Sequence, residues 1–266
     1  MTNPLLSKTK LPGRIFQLPS KGIFYESGVL ADHVTDAEVE VQPLSGLAEM
    51  KLRSPDMLFS GRALREICLE CIPDILKPEH LVSKDVDAIF CFLKIVTYGN
   101  EMFIKSIHDC PNRIVHDYTI NIEPIVMSPN NSQLDHVDLL YNVKLSNNQV
   151  IKLKPVRFQD SIDMIHLQHE MEKDINETGN PDEVILERMV IRDLMSVISS
   201  VDEVTDKKMI EEWIRSLQKK YFKEIVNLSR ASNDWGFNLN IDVTCKDCGE
   251  IYKHNLELDP INFFSG

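Results

Sequence analysis

The chain has 266 residues, 43% of them hydrophobic and 26% charged, with a formal net charge of -12. That composition is ordinary for a soluble globular protein, and the length admits one large domain or two of about 130 residues. Phosphate binding draws on Lys and Arg, so an acidic chain without a basic block is a poor nucleic-acid binder. The absence of any run of about 20 apolar residues excludes a membrane span.

In chain order, the opening run MTNPLLSKTKLPGR has no apolar core of the kind a secretory signal needs, so folding in the cytosol is expected. FYESGVLADHVTDAE followed by VEVQPLSGLAEM reads as a β-hairpin running into an acidic segment. Leu64, Ile67, Cys68, Cys71, Ile72 and Ile75 then recur at helical spacing. Ser83 is placed to cap a helix bearing Val86, Ile89, Phe90 and Leu93. YTINIEPI is a further alternating run, and MSPNNSQLD, rich in Pro, Asn and Ser, looks like a linker.

Beyond the linker the order repeats. YNVKLSNNQ and IKLKPVRFQDSIDM form a second hairpin with an acidic exit ending in Met. Asn180, Pro181 and Glu183 suit the cap, first and third positions of a helix carrying Met189, Val190, Leu194, Val197 and Ile198. Thr205 is the expected cap of a helical segment that buries Met209, Ile210, Trp213, Ile214, Leu217, Ile225 and Val226. The run NLELDPINFF closes the copy. The expected architecture is therefore α+β, with two tandem related domains, 1–127 and 135–266. Each is a β-hairpin, helices and a zinc-ribbon-like hairpin.

The repeat also aligns chemistry. Tyr98-Gly99 and Trp235-Gly236 hold equivalent places. Nine residues beyond each glycine lie His108 and Cys245; eleven and twelve beyond lie Cys110 and Cys248. Cys245-x-x-Cys248-Gly249 is one half of a tetrahedral zinc site, with Zn–S bonds of about 2.3 Å. The repeat supplies His108 and Cys110 as the other half, so that two hairpins clamp one structural zinc. His254 is an alternative ligand, with His116 as its counterpart. Two other readings stand beside zinc: reduced thiols left from a decayed site, and a redox pair. The latter would want a βαβ context and a helix N-terminus, and neither is visible.

Cys68-Leu-Glu-Cys71 has the same spacing on a helical apolar face and is read as core packing, as is Cys91. His166, His169 and Glu170 are read as a solvated helix face. Asp85, Asp87, Glu211 and Glu212 are read as first-turn acids favoured by the helix dipole. Phe263 and Phe264 are either packed on the second domain or exposed as an anchor for a partner. No nucleophile elbow, phosphate loop, dinucleotide fingerprint or zinc-protease motif occurs, so a non-enzymatic protein is expected.

LPSKGIFYESGVL, PLSGLAEMKLRSPDMLFSG, CIPDILKP, DVDAIFCFLKIVTYG, LSNNQVIKLKPVRFQD, MIEEWIRSL and the terminal CKDCG…LDPINFF occur in this order over nearly the whole chain. Together they resemble the baseplate-hub and hub-assembly proteins of T4-type contractile-tailed phages. The resemblance implies action in the host cytoplasm during tail assembly, with baseplate hub and tape-measure proteins as partners. Some relatives are hub components and others assembly factors. Relatives often carry cysteine pairs in both halves; here the first half offers His108 and Cys110. A zinc-ribbon nucleic-acid adaptor is the alternative, and the charge argues against it.

Overall fold

The computed structural model describes residues 12–111, 113–180 and 182–256. Strand β1 (Arg14–Gln17) pairs antiparallel with β2 (Glu38–Val41), from Arg14 opposite Val41 to Gln17 opposite Glu38. Alternation in the second strand buries Val39 and Val41 and leaves Glu38 and Glu40 outside. The partner of β2 is thus RIFQ rather than the turn-bearing stretch directly ahead of it. That stretch is a loop, joined to the fold by a bridge between Leu30 and Ile75.

Helices α1 (Gly46–Leu52), α2 (Pro55–Phe59) and α3 (Arg62–Cys71) follow. Ser45 caps α1, its side chain accepting from the Ala48 N–H. Ala63, Leu64, Ile67, Cys68 and Cys71 are the buried face of α3, as the helical spacing predicts. Helix α4 (Ser83–Tyr98) is buried almost all round, from Val86 through Ile95. A helix apolar on every side belongs in the middle of a core. Its Phe92 stacks on Phe16 of β1 at 4.4 Å and meets Phe237 edge-on at 6.0 Å. Ser83 does not cap this helix; its hydroxyl is hydrogen-bonded to that of Ser161. A hairpin of β3 (Glu101–Ile107) and β4 (Val115–Asn121) completes the first segment.

The second segment has the same order of hairpin, helices and hairpin. Short helices α5 (Glu123–Met127) and α6 (Val137–Tyr141) lead into β5 (Asn142–Lys144) and β6 (Val150–Leu153). Strand β7 (Ile198–Val201) adds to the free edge of β6. The helices are α7 (Phe158–Thr178), α8 (Glu183–Val197), α9 (Lys207–Ser216) and α10 (Lys219–Ser232). Two caps differ from expectation. Asp182, not Asn180, caps α8 by accepting from Val184 N–H, and Asp206, not Thr205, caps α9 by accepting from Lys208 and Met209. In both cases a carboxylate next in line outcompetes a neutral cap, since it gains from the helix dipole as well. Pro181 lies outside the described residues. The last hairpin is β8 (Asn240–Thr244) with β9 (Ile251–Asn255).

The larger core contains Phe16, Val39, Ile67, Ile89, Phe92 and Ile104, and it also takes in Phe237, Val243 and Leu256 from the end of the chain. The last hairpin therefore packs on the apolar interior of the first segment. A second core holds Ile151, Leu194, Ile210, Ile214 and Ile225. Between them Val82, Leu134 and Trp235 form a small cluster, with Trp235 Nε1–H donating to the Tyr141 hydroxyl at 3.0 Å. The stretch 127–135 is mostly exposed but anchored at two points. Leu134 is buried, and Asn130 exchanges two backbone hydrogen bonds with Gly236, at 2.8 and 3.0 Å.

Gly61 adds a further join. It begins α3 with φ of +69°, and a Cβ there would lie 3.0 Å from Ile162 and 3.2 Å from Phe158 of α7. Both the backbone and the space demand glycine. Gly61→Ala is expected to cost about 2 kcal/mol in urea denaturation, with no change in metal content.

Candidate metal centre

The tips of two hairpins meet. His108 and Cys110 lie in the turn after β3; Cys245 and Cys248 lie in the turn between β8 and β9. One ligand atom from each of the four lies within 4.8 Å of the others. His108 Nδ1 and Cys248 Sγ are 3.3 Å apart. A tetrahedral zinc with three Zn–S bonds of about 2.3 Å and one Zn–N bond of about 2.0 Å needs ligand atoms roughly 3.5–3.8 Å apart. The set is close to that spacing and is compatible with a structural zinc.

Local sequence builds the two halves differently. In the terminal turn, Cys245 N–H donates to the Glu250 carbonyl at 2.8 Å and Gly249 N–H to the Cys245 carbonyl at 3.0 Å. Gly249 takes φ of +77° to close that turn. The backbone N–H groups are thereby turned onto sulfur. The Cys248 N–H, followed by that of Asp247, holds the Cys245 thiol down to about 7. In the other turn, Cys110 N–H donates to the His108 carbonyl and Arg113 N–H to the Cys110 carbonyl.

The same C-x-x-C spacing on α3 has opposite chemistry. Burial pushes Cys68 well above the usual thiol range and Cys71 up to about 12. Burial does the same to Cys91, also to about 12. These are core thiols, and a helix offers their sulfurs no backbone N–H groups.

The hairpins are also held together without a metal. Tyr252 O–H donates to Ser106 Oγ at 2.7 Å, and Ser106 Oγ is 2.8 Å from His254 Nδ1. His116 Nε2 is 2.7 Å from an Asp247 carboxylate oxygen. Lys246 Nζ donates to the Asp117 carbonyl at 2.5 Å and lies over the Tyr118 ring. His254 and His116 thus sit in the interface below the cluster rather than in it. Ser106, Lys246 and Asp247 carry no sequence signal for this role; only the face-to-face placement of the hairpins reveals them.

The other histidine candidates are dispersed. His166 is exposed, as expected of a solvated helix face, with its ring stacked on Phe59 at 4.4 Å and its Nε2 2.9 Å from the Phe59 carbonyl. His169 meets the same ring edge-on, and Glu170 pairs with Arg188. Among the described residues, no second group of three or more His, Cys, Asp or Glu side chains is gathered as a metal site. No described helix is long and apolar enough to cross a membrane. Phe263 and Phe264 lie outside the described residues.

A family model described as T4 bacteriophage base plate protein matches residues 46–265. Comparisons with curated proteins and with solved structures gave no match. The match covers most of the chain, and the chain belongs to that family of phage baseplate proteins.

Proposed function

We propose that this baseplate protein acts in assembly of the baseplate hub through protein–protein contacts, as a hub component or assembly chaperone. In this proposal it works in the host cytoplasm and is carried, where it is retained, into the tail. Its partners are hub and tape-measure proteins. A structural zinc held by His108, Cys110, Cys245 and Cys248 ties the terminal hairpin to the first segment, and the chain does no chemistry of its own. The observation that carries the zinc is the convergence of the four ligand atoms from turns 140 residues apart. Family membership carries the baseplate role. The shared order of hairpin, helices and hairpin supports two tandem related units, 1–127 and 135–266.

The mechanism is rigid presentation. A zinc staple contributes folding energy and fixes the outer faces of both hairpins relative to the helices, ready for a partner surface. Co-expression of the tagged full chain with hub and tape-measure proteins tests this. At least one tail component is expected to co-purify through gel filtration, insensitive to nuclease. Retention of none would overturn the assembly role. Salt-sensitive binding of nucleic acid would turn the reading toward a zinc-ribbon adaptor, against the net charge of -12.

A further inference from the structure

We propose that His108 holds the metal through Nδ1 and that Glu250 is the residue that positions it, with Tyr252 setting the plane of the ring. This rests on the zinc reading above and goes further by assigning the ligating atom and its support.

The two nitrogens of His108 face different chemistry. Nδ1 is 3.3 Å from Cys248 Sγ, inside the thiol cluster. Nε2 is 3.8 Å from a Glu250 carboxylate oxygen, on the far side of the ring. An imidazole that ligates through one nitrogen carries its proton on the other, and a carboxylate at that second position selects the tautomer and orients the ring. At 3.8 Å the pair is beyond a direct hydrogen bond; a change of rotamer in the exposed Glu250 side chain closes that gap.

Glu250 is well placed for this. Its carbonyl accepts the Cys245 N–H at 2.8 Å, so its backbone is part of the cysteine turn. Its side chain is 74% exposed and can reach His108 without a desolvation cost. Two residues on, in β9, the Tyr252 ring stacks on His108 at 4.7 Å with 24° between planes. The Tyr252 hydroxyl is bonded to Ser106 on the opposing hairpin, so this platform cannot swing away. His108 is thus gripped at its edge by a carboxylate and on its face by a phenol ring. His254, whose Nδ1 is bonded to Ser106, has neither.

The test uses the full chain purified with zinc, labelled with 15N-histidine. Long-range 1H–15N correlation is expected to show His108 with a metal-bound Nδ1 and a protonated Nε2. Competition with a chromophoric chelator is expected to show Glu250→Gln binding zinc about ten-fold more weakly, the lower end of what outer carboxylates contribute, because this one is exposed to water. With chelator in excess, Glu250→Gln and the parent should melt alike, which separates positioning from a general structural role. One bound zinc with Nε2 ligation, or an unchanged affinity in Glu250→Gln, overturns the assignment and leaves the zinc staple standing. A chain that binds no zinc overturns both.

Discussion

Stripping zinc from the purified protein with a chelator at neutral pH is expected to lower its melting temperature by roughly 10 °C or more. It should also open the terminal hairpin to hydrogen exchange and proteolysis before the rest unfolds. The reason is topological. Two ligands come from each of two turns separated by about 140 residues, so an ion held between them would close a very long loop. Such a cross-link limits the unfolded chain most where the loop is longest. The loss should nevertheless be local. Phe237, Val243 and Leu256 remain in the first core, and the contacts of Ser106, Asp117 and His116 across the hairpins need no metal. The thiols are not equivalent. Cys245 is buried and bonded from the backbone, whereas Cys248 is exposed. Cys245→Ser should therefore cost more metal and more melting temperature than Cys248→Ser. Elemental analysis with scanning fluorimetry checks both. A melting curve indifferent to chelation, in protein shown to contain the metal, would mean that the hairpins hold themselves together.

The four ligands are legible in the sequence because each pair follows an aromatic-Gly pair at nearly the same interval. Gly99 and Gly236 have φ of +89° and +90°, a backbone that few other residues adopt. Counting onward from each glycine picks out the four side chains that the structure brings together. The core face of α3 was visible for a similar reason, since periodicity in a helix depends on local geometry alone. What stayed hidden depends on relations between distant segments. The pairing of β2 with β1 skips twenty residues of loop, and no local pattern marks the skip. His254 looked like a ligand because it is a histidine near two cysteines. Strand alternation puts it on the face with Tyr252, toward Ser106, and only the facing hairpin decides that. His166 and His169 are exposed as expected; what the sequence does not show is the ring they flank, Phe59, more than a hundred residues away. The helix caps Asp182 and Asp206 lie two and one residues beyond the positions the sequence suggests, where adjacent polar residues compete for one role.

Asp85→Ala is expected to destabilise the protein by about 3–4 kcal/mol at neutral pH, and by more at pH 4.5. The sequence places Asp85 in the first turn of α4, where a carboxylate gains from the helix dipole. The structure gives it a larger task. It is fully buried and accepts from Ser20 N–H at 2.9 Å, Ser20 O–H at 2.5 Å and Tyr25 O–H at 2.5 Å. Those partners are bonded in turn, Ser20 Oγ accepting from Gly22 N–H and the Tyr25 hydroxyl from Val82 N–H. One carboxylate thus pins the loop after β1 onto the start of α4. Removing it strands three donors in a place water does not reach, each costing about 1–3 kcal/mol before relaxation. The pH dependence follows from the carboxyl's own titration. Burial outweighs the hydrogen bonds and pushes Asp85 up from 3.8 to about 6. The unfolded chain therefore loses this proton first as pH rises. Between about pH 4 and pH 6 the folded chain binds more protons than the unfolded one, so this group's contribution falls with rising pH and levels off above about 6. The change across the window is at most on the order of 3 kcal/mol. Asp87, also raised by burial to about 6 with Lys84 opposing and the Asp85 charge adding to the rise, tilts the parent in the same direction; removing Asp85 relieves part of that rise, so Asp87 adds to the difference in the same sense. Urea denaturation of both proteins at pH 4.5 and 7.5 measures that difference. A penalty that grows with pH instead would mean that Asp85 is stabilised as the charged carboxylate, and that its three donors outweigh its burial.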